Sequence, residues 1–156
     1  MDIVDIAIRL CAATVVGGAL GLNRDLHGKP TGVRTLSLVA LGSALAVMAV
    51  TRAGDINAVS RVIQGTLTGI GFLGAGVIVR TLNGEHVHGL TTAACVWLTA
   101  CVGVVCGVGE WRLLLVGTPI VAVILIFGGT FEKWIHRQWP ATDGTRPMPG
   151  DREPLP

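Results

Sequence analysis

Apolar positions in this chain do not alternate with polar ones as they do in a half-buried strand, nor recur on one stripe of a water-facing helix. They come in long, nearly uncharged runs. Five such runs cover about residues 3–22, 35–50, 63–79, 91–108 and 111–127. A helix needs roughly 20 mostly apolar residues to cross ~30 Å of hydrocarbon, and inside lipid it must satisfy every backbone N–H and C=O within itself. Some of the runs are short of that, so flanking Thr, Gly and Trp residues are expected to carry each helix into the interface. The pattern predicts an all-α polytopic bundle of five transmembrane helices. The first run is not a secretion signal: Asp2 and Asp5 stand where a basic region would be, and no small-x-small cleavage site leads into a soluble domain. The breaker pair Lys29-Pro30 precedes the second run.

After the fifth run, Phe131, Trp134, Ile135 and Trp139 fall at i, i+3, i+4 and i+8, with Glu132, Lys133, His136 and Arg137 on the other face. This predicts a short amphipathic helix over residues 129–139, lying at the lipid headgroups with tryptophan anchors. From Pro140 onward five of the seven prolines appear among charges and glycines, which predicts a disordered tail over 140–156.

Composition agrees. Hydrophobic residues make up 51%, charged residues 14%, and the mean hydropathy is +0.65. A soluble domain is about 25% charged because its surface must be wetted. The net charge of +2 is small and its basic residues are dispersed, which argues against a nucleic-acid partner. The distribution of those charges is more informative. With five spans, one side of the membrane receives Arg24, Lys29, Arg34, Arg80, Lys133, Arg137, Arg146 and Arg152, eight of the twelve basic residues. The other side has Arg52, Arg61 and Arg112, with Arg9 inside the first helix. The positive-inside rule then predicts a cytoplasmic C-terminus and an N-terminus outside, which is periplasmic if the membrane is of bacterial inner-membrane type.

Glycine is abundant, with 22 residues, and much of it lies within the runs. Gly17-xxx-Gly21, Gly65-xxx-Gly69 and Gly103-xxx-Gly107 each set two glycines on one helical face. Small residues let helix backbones approach closely in lipid; the alternative is a flexible or broken transporter-type helix. Three such faces exceed what one five-helix bundle obviously requires, which points to a homodimer. The string Gly69-Ile-Gly71-Phe-Leu-Gly74 matches a dinucleotide-binding fingerprint, but that fingerprint needs a preceding strand and an acid ~20 residues further on, whereas here the context is a membrane span and the next acid, Glu85, comes too early.

Polar residues within the spans are few. Asp5 and Arg9 sit at i, i+4 and can pair, with the arginine either held at membrane depth or snorkelling outward. Gln64 is a candidate for an interhelical bond, and Thr14, Ser43, Thr68 and Thr99 are expected to bond back to their own backbone. The four cysteines (Cys11, Cys95, Cys101, Cys106) lie in apolar runs and read as structural thiols. Glu85, His86 and His88 lack a fourth ligand at helical spacing and read as a solvated loop, so no metal site is expected. No nucleophile–base arrangement and no cofactor cradle is evident, which argues against an enzyme. The inner helix ends are richer: Arg24, Asp25, Arg34, Thr35, Arg80, Thr91 and Thr92 gather there, with Asp25 between several arginines. They form either a charged network tying helix ends together or a face that binds an anion or a partner.

Four strings in this order, Gly21-Leu-Asn-Arg-Asp25, Thr31-Gly-Val-Arg-Thr35, Thr68-Gly-Ile-Gly-Phe-Leu-Gly-Ala-Gly-Val-Ile78 and His88-Gly-Leu-Thr-Thr-Ala-Ala94, resemble the MgtC/SapB family of bacterial membrane proteins. The resemblance covers roughly residues 3–127. It departs at Asn23, often Glu in the family, at His88, often Arg, and at Thr91, Asn in some members. Larger members also carry a soluble C-terminal domain, so the chain reads as a short form. The resemblance implies five membrane helices, a part in growth under magnesium limitation and in intracellular survival, and action through other membrane proteins. The matching positions are Arg24, Asp25, Arg34, Thr35, Gly69, Gly71, Gly74, Gly76, Arg80, Gly89 and Thr92, with Thr91 beside them. Two functions follow: a regulatory protein that docks a membrane-protein partner, or a transporter for Mg²⁺ or another small solute. The absence of any acid at mid-depth in a span weighs against an ion path, because Mg²⁺ is held by carboxylates and waters.

Overall fold

The structure is a computed structural model that describes residues 2–51, 54–79 and 89–138, with side chains through 78 and 128 in the latter two segments. Arg80, the Glu85–His88 loop residues and the tail beyond 139 lie outside the described residues, as does the apolar face expected over 131–139. Five helices follow one another: α1 (Ile3–Leu26), α2 (Val33–Thr51), α3 (Ile56–Val79), α4 (Leu90–Val108) and α5 (Trp111–Gln138). All five contain a stretch long and apolar enough to cross a membrane.

Several helices outrun their apolar cores, for local reasons. α1 continues past Leu22 for another turn and stops where Gly28 takes φ +61°, with the His27 and Lys29 N–H groups both donating to the Arg24 carbonyl. α3 starts seven residues before its apolar run. Asp55 accepts the Asn57 N–H at 2.9 Å and so satisfies a donor that the first turn leaves free. α5 runs without a break from Trp111 to Gln138, so the segment expected to lie separately at the headgroups continues the fifth helix. Pro119 inside α5 removes one backbone bond, which a membrane helix tolerates when neighbours re-satisfy the carbonyl.

α4 is the centre of the bundle: 56% of its spanning stretch is buried, whereas among the described residues α3 buries Gly74 alone and the spanning stretch of α5 buries none. It packs against the other four helices, running parallel to α2 and antiparallel to α1. The core is built from small residues. Ala13, Ala40, Ala44, Val102 and Cys106 form one cluster, and Leu20, Leu36 and Val96 a second. Glycines make this approach feasible. A methyl on Gly17 would lie 2.7 Å from the Leu36 carbonyl oxygen, and one on Gly103 would overlap the Ala40 carbonyl. Outside, Phe72 (82% exposed), Leu115 and Ile124 face away from the protein. So much exposed apolar surface suits acyl chains and would be a liability in water.

The α4 terminus opposite the basic end is fully satisfied. Gly109, at φ +89°, donates its N–H to Cys106 O, and the Glu110 N–H reaches Val105 O, the Schellman pattern. The last two carbonyls, Gly107 and Val108, accept from Arg9 Nη1 at 3.0 and 2.7 Å. Arg9 in turn holds Asp5 at 3.0 Å through Nε. Asp5 and Arg9 therefore pair, and the arginine crosses to α4 to cap its negative end instead of snorkelling to solvent.

Candidate interaction rim at the basic end of the bundle

The end of the bundle bearing Arg24, Lys29 and Arg34 is assembled from the last turn of α1, the loop 27–32, the first turn of α2 and the first turn of α4. Arg24 is 4% exposed, which is unusual for a cation and costly unless its donors are matched. They are matched by neutral atoms. Nε and Nη2 donate to the Pro30 carbonyl at 3.2 and 3.0 Å. Nη2 also donates to Thr92 Oγ1 at 2.6 Å, and Nη1 approaches Cys95 Sγ at 3.3 Å. The guanidinium thus ties α1 to its own loop and to α4, 68 residues away. Its place in the last turn of α1 adds a favourable interaction with that helix's dipole.

Asp25 does something different from the ion pairing its neighbours suggest. Its Oδ2 accepts the Val33 N–H at 2.9 Å, capping α2 from the preceding helix, and among the described residues it makes no ion pair. Gly32 leaves room for the carboxylate in this position, since a methyl there would fall on it. Thr31 sits at φ +63°, a left-handed conformation that is uncomfortable for a β-branched residue. Its hydroxyl donates to the same Pro30 carbonyl at 2.6 Å. A charged network of arginines around Asp25 is therefore replaced by two separate devices, a buried arginine bonded to neutral acceptors and a cross-loop helix cap.

The remaining motif residues divide by exposure. Arg34, Thr35, Thr91 and Lys29 are exposed, while Thr92 is buried under Arg24. Gly89, at φ +96°, starts α4 in a conformation that favours glycine. Gly74 faces Ala93 across the α3–α4 contact, whereas Gly69, Gly71 and Gly76 have open space where a side chain would be. α3 is one continuous helix through these glycines, with no strand before them among the described residues. Gln64 is exposed and makes no side-chain bond among the described residues, so it does not bridge helices here. Thr14, Ser43 and Thr99 bond to the carbonyls four residues earlier.

Two of the three glycine pairs are consumed inside the bundle: Gly17/Gly21 against α2, and Gly103/Gly107 against α2 from the other side. Gly65/Gly69 is left uncovered. The sequence reads Pro30 as a helix breaker, Gly32 as part of a motif string and Cys95 as a structural thiol, and it places none of the three at this rim. Cys95 stands three residues after Thr92, hence on the same helical face, and that spacing is the signal that could have found it.

Comparison with known proteins settles the affiliation of this arrangement. The family model described as the MgtC family matches residues 10–134, most of the chain. The chain belongs to the MgtC family. Among curated relatives it is 42% identical over 152 residues to SrpB of Synechococcus elongatus, covering 88% of this chain and 84% of that protein. It is 37% identical over 127 residues to YhiD of Escherichia coli K12, covering 76% of this chain and 58% of YhiD. With MgtC of Salmonella typhimurium it shares 39% over 114 residues, covering 73% of this chain and 48% of MgtC. The chain thus spans about half to three-fifths of those two family members' lengths. No solved structure matches it. Family membership and the five apolar helices together make it a multi-pass membrane protein. Within the family motif, Arg24, Asp25 and Gly32 act as scaffold for the rim, and Arg34 and Thr35 are its accessible members.

Proposed function

We propose that this protein is a regulatory membrane protein that works by docking another membrane protein at its basic rim, in adaptation to low magnesium. The observation that carries this reading is the split within the motif. Arg24 and Asp25 are spent holding the loop and α2 in shape, which leaves Arg34, Thr35 and Lys29 exposed on a surface that the scaffold keeps rigid. In the proposed orientation the protein lies in a bacterial inner membrane, with the basic rim and the C-terminus in the cytoplasm, following the charge bias of its loops. A second reading, magnesium transport, is favoured by YhiD, which carries a provisional magnesium-transporter name. Against it, the described acids with assigned surroundings, Asp2, Asp5, Asp25, Asp55 and Glu110, all stand at helix ends or in loops. No group of three or more metal-ligating side chains forms among the described residues.

The two readings separate in paired experiments. In a strain that needs an MgtC-family protein to grow in low magnesium, the wild-type chain should restore growth, and Arg34→Glu at equal membrane abundance should not. Purified protein in liposomes loaded with a Mg²⁺-sensitive dye should give no flux above empty liposomes. Flux that depends on the protein would replace the docking reading with the transport one.

A further inference from the structure

α2 and α3 do not close against each other along their basic-end halves. Between them lies a groove of about 700 Å³, lined by Leu38, Val39, Gly42, Gly69 and Leu73 and bounded at one end by Arg34 and Thr35. That volume is in the range of small-molecule sites, roughly 300–1,000 Å³. The glycines along it differ from those in the core: a methyl built on Gly42, Gly65 or Gly69 meets nothing within 4 Å. Here their small size leaves space instead of bringing helices together.

The shape and charge of the groove identify its occupant. Along α2 it extends from Arg34 to Ala46, which at 1.5 Å per residue is ~18 Å. One leaflet of a membrane with ~30 Å of hydrocarbon is ~15 Å deep. The groove therefore runs from the headgroup level at the basic end to about the bilayer centre, where a transmembrane helix of a second copy would demand a seat of twice that length. At the headgroup level its lining carries a cation and no carboxylate, and Arg34 makes no ion pair among the described residues. We propose that this groove seats one acyl chain of an anionic phospholipid from the leaflet at the basic end, with the lipid phosphate on Arg34 and Thr35. An arginine fork beside a hydroxyl is suited to a phosphate, and the apolar walls below suit the chain. The inference goes beyond the docking role of the rim and does not depend on it.

Native mass spectrometry of the detergent-purified full chain, titrated with phosphatidylglycerol and with phosphatidylcholine of the same acyl chains, tests this directly. The wild type should retain one phosphatidylglycerol about fivefold better than phosphatidylcholine, the factor expected from one basic residue facing anionic lipid. Gly69→Leu, whose Cβ meets no protein atom within 4 Å and whose side chain would occupy the groove, should bind phosphatidylglycerol about tenfold more weakly. Gly42→Leu should do the same from the opposite wall. Arg34→Gln should keep the lipid but lose the preference between headgroups. Equal retention of both lipids by the wild type, or undiminished phosphatidylglycerol binding by both leucine variants, would overturn the proposal. So would a dimer that Gly69→Leu converts to a monomer while lipid binding persists, since the occupant would then be a second copy. The readout is lipid retention, so failure here is distinct from failure of growth rescue.

Discussion

Thr92→Val isolates the buried arginine's most direct link between α1 and α4. Thr92 and Arg24 are 5% and 4% exposed, and the Nη2–Oγ1 distance is 2.6 Å. Valine keeps the branched shape, so little cavity forms and the loss is that of the acceptor. One N–H of a buried guanidinium would be left without that partner. Hydrogen bonds to charged groups contribute ~1.5–3 kcal/mol, and leaving a buried charge under-satisfied costs a similar amount. The expected destabilisation is about 2 kcal/mol, near a thirtyfold shift toward the unfolded state. Reversible unfolding in mixed micelles, driven by stepwise addition of SDS and followed by helical circular dichroism, measures it. Arg24→Met completes a double-mutant cycle, in which the pair should show a coupling of about 1–2 kcal/mol. If Thr92→Val stays within ~0.5 kcal/mol of wild type, or the coupling is near zero, Arg24 is not bonded to α4 in the folded protein and its scaffold role fails.

Other substitutions test the remaining devices. Gly103→Ala should lose roughly 1–3 kcal/mol or fail to fold, because its methyl would overlap the Ala40 carbonyl. Gly69→Ala, in open space, should gain up to about 1 kcal/mol from helix propensity, and the reverse order of unfolding midpoints would contradict the packing. Asp25→Ala should cost about 1 kcal/mol through loss of the α2 cap, whereas Asp25→Asn, which keeps an oxygen for the Val33 N–H, should stay within a few tenths. Equal losses in those two variants would assign the carboxylate an ionic role instead. Arg9→Met should remove about 1–2 kcal/mol and speed amide exchange in the last turn of α4, where two carbonyls lose their donor.

Much of this molecule is legible in one dimension because lipid imposes a one-dimensional demand. A segment that must satisfy its backbone internally and face acyl chains has to be long, helical and apolar, and five runs meet that condition. The gathering of charge at one end follows equally well, since loop residues between spans must alternate sides. What hydropathy does not encode is which partner a polar or small residue meets, because that depends on helix register and on which helix lies alongside. Three glycine pairs look identical as strings, yet two close against α2 and the third opens a groove. Asp25 and Arg24 are neighbours in sequence but serve different helices: the carboxylate caps α2, and the guanidinium turns inward to Thr92 and Cys95 of α4. Arg9 pairs with Asp5, as its i, i+4 spacing allows, but its link to carbonyls 98 and 99 residues away exists only because α1 and α4 pack antiparallel.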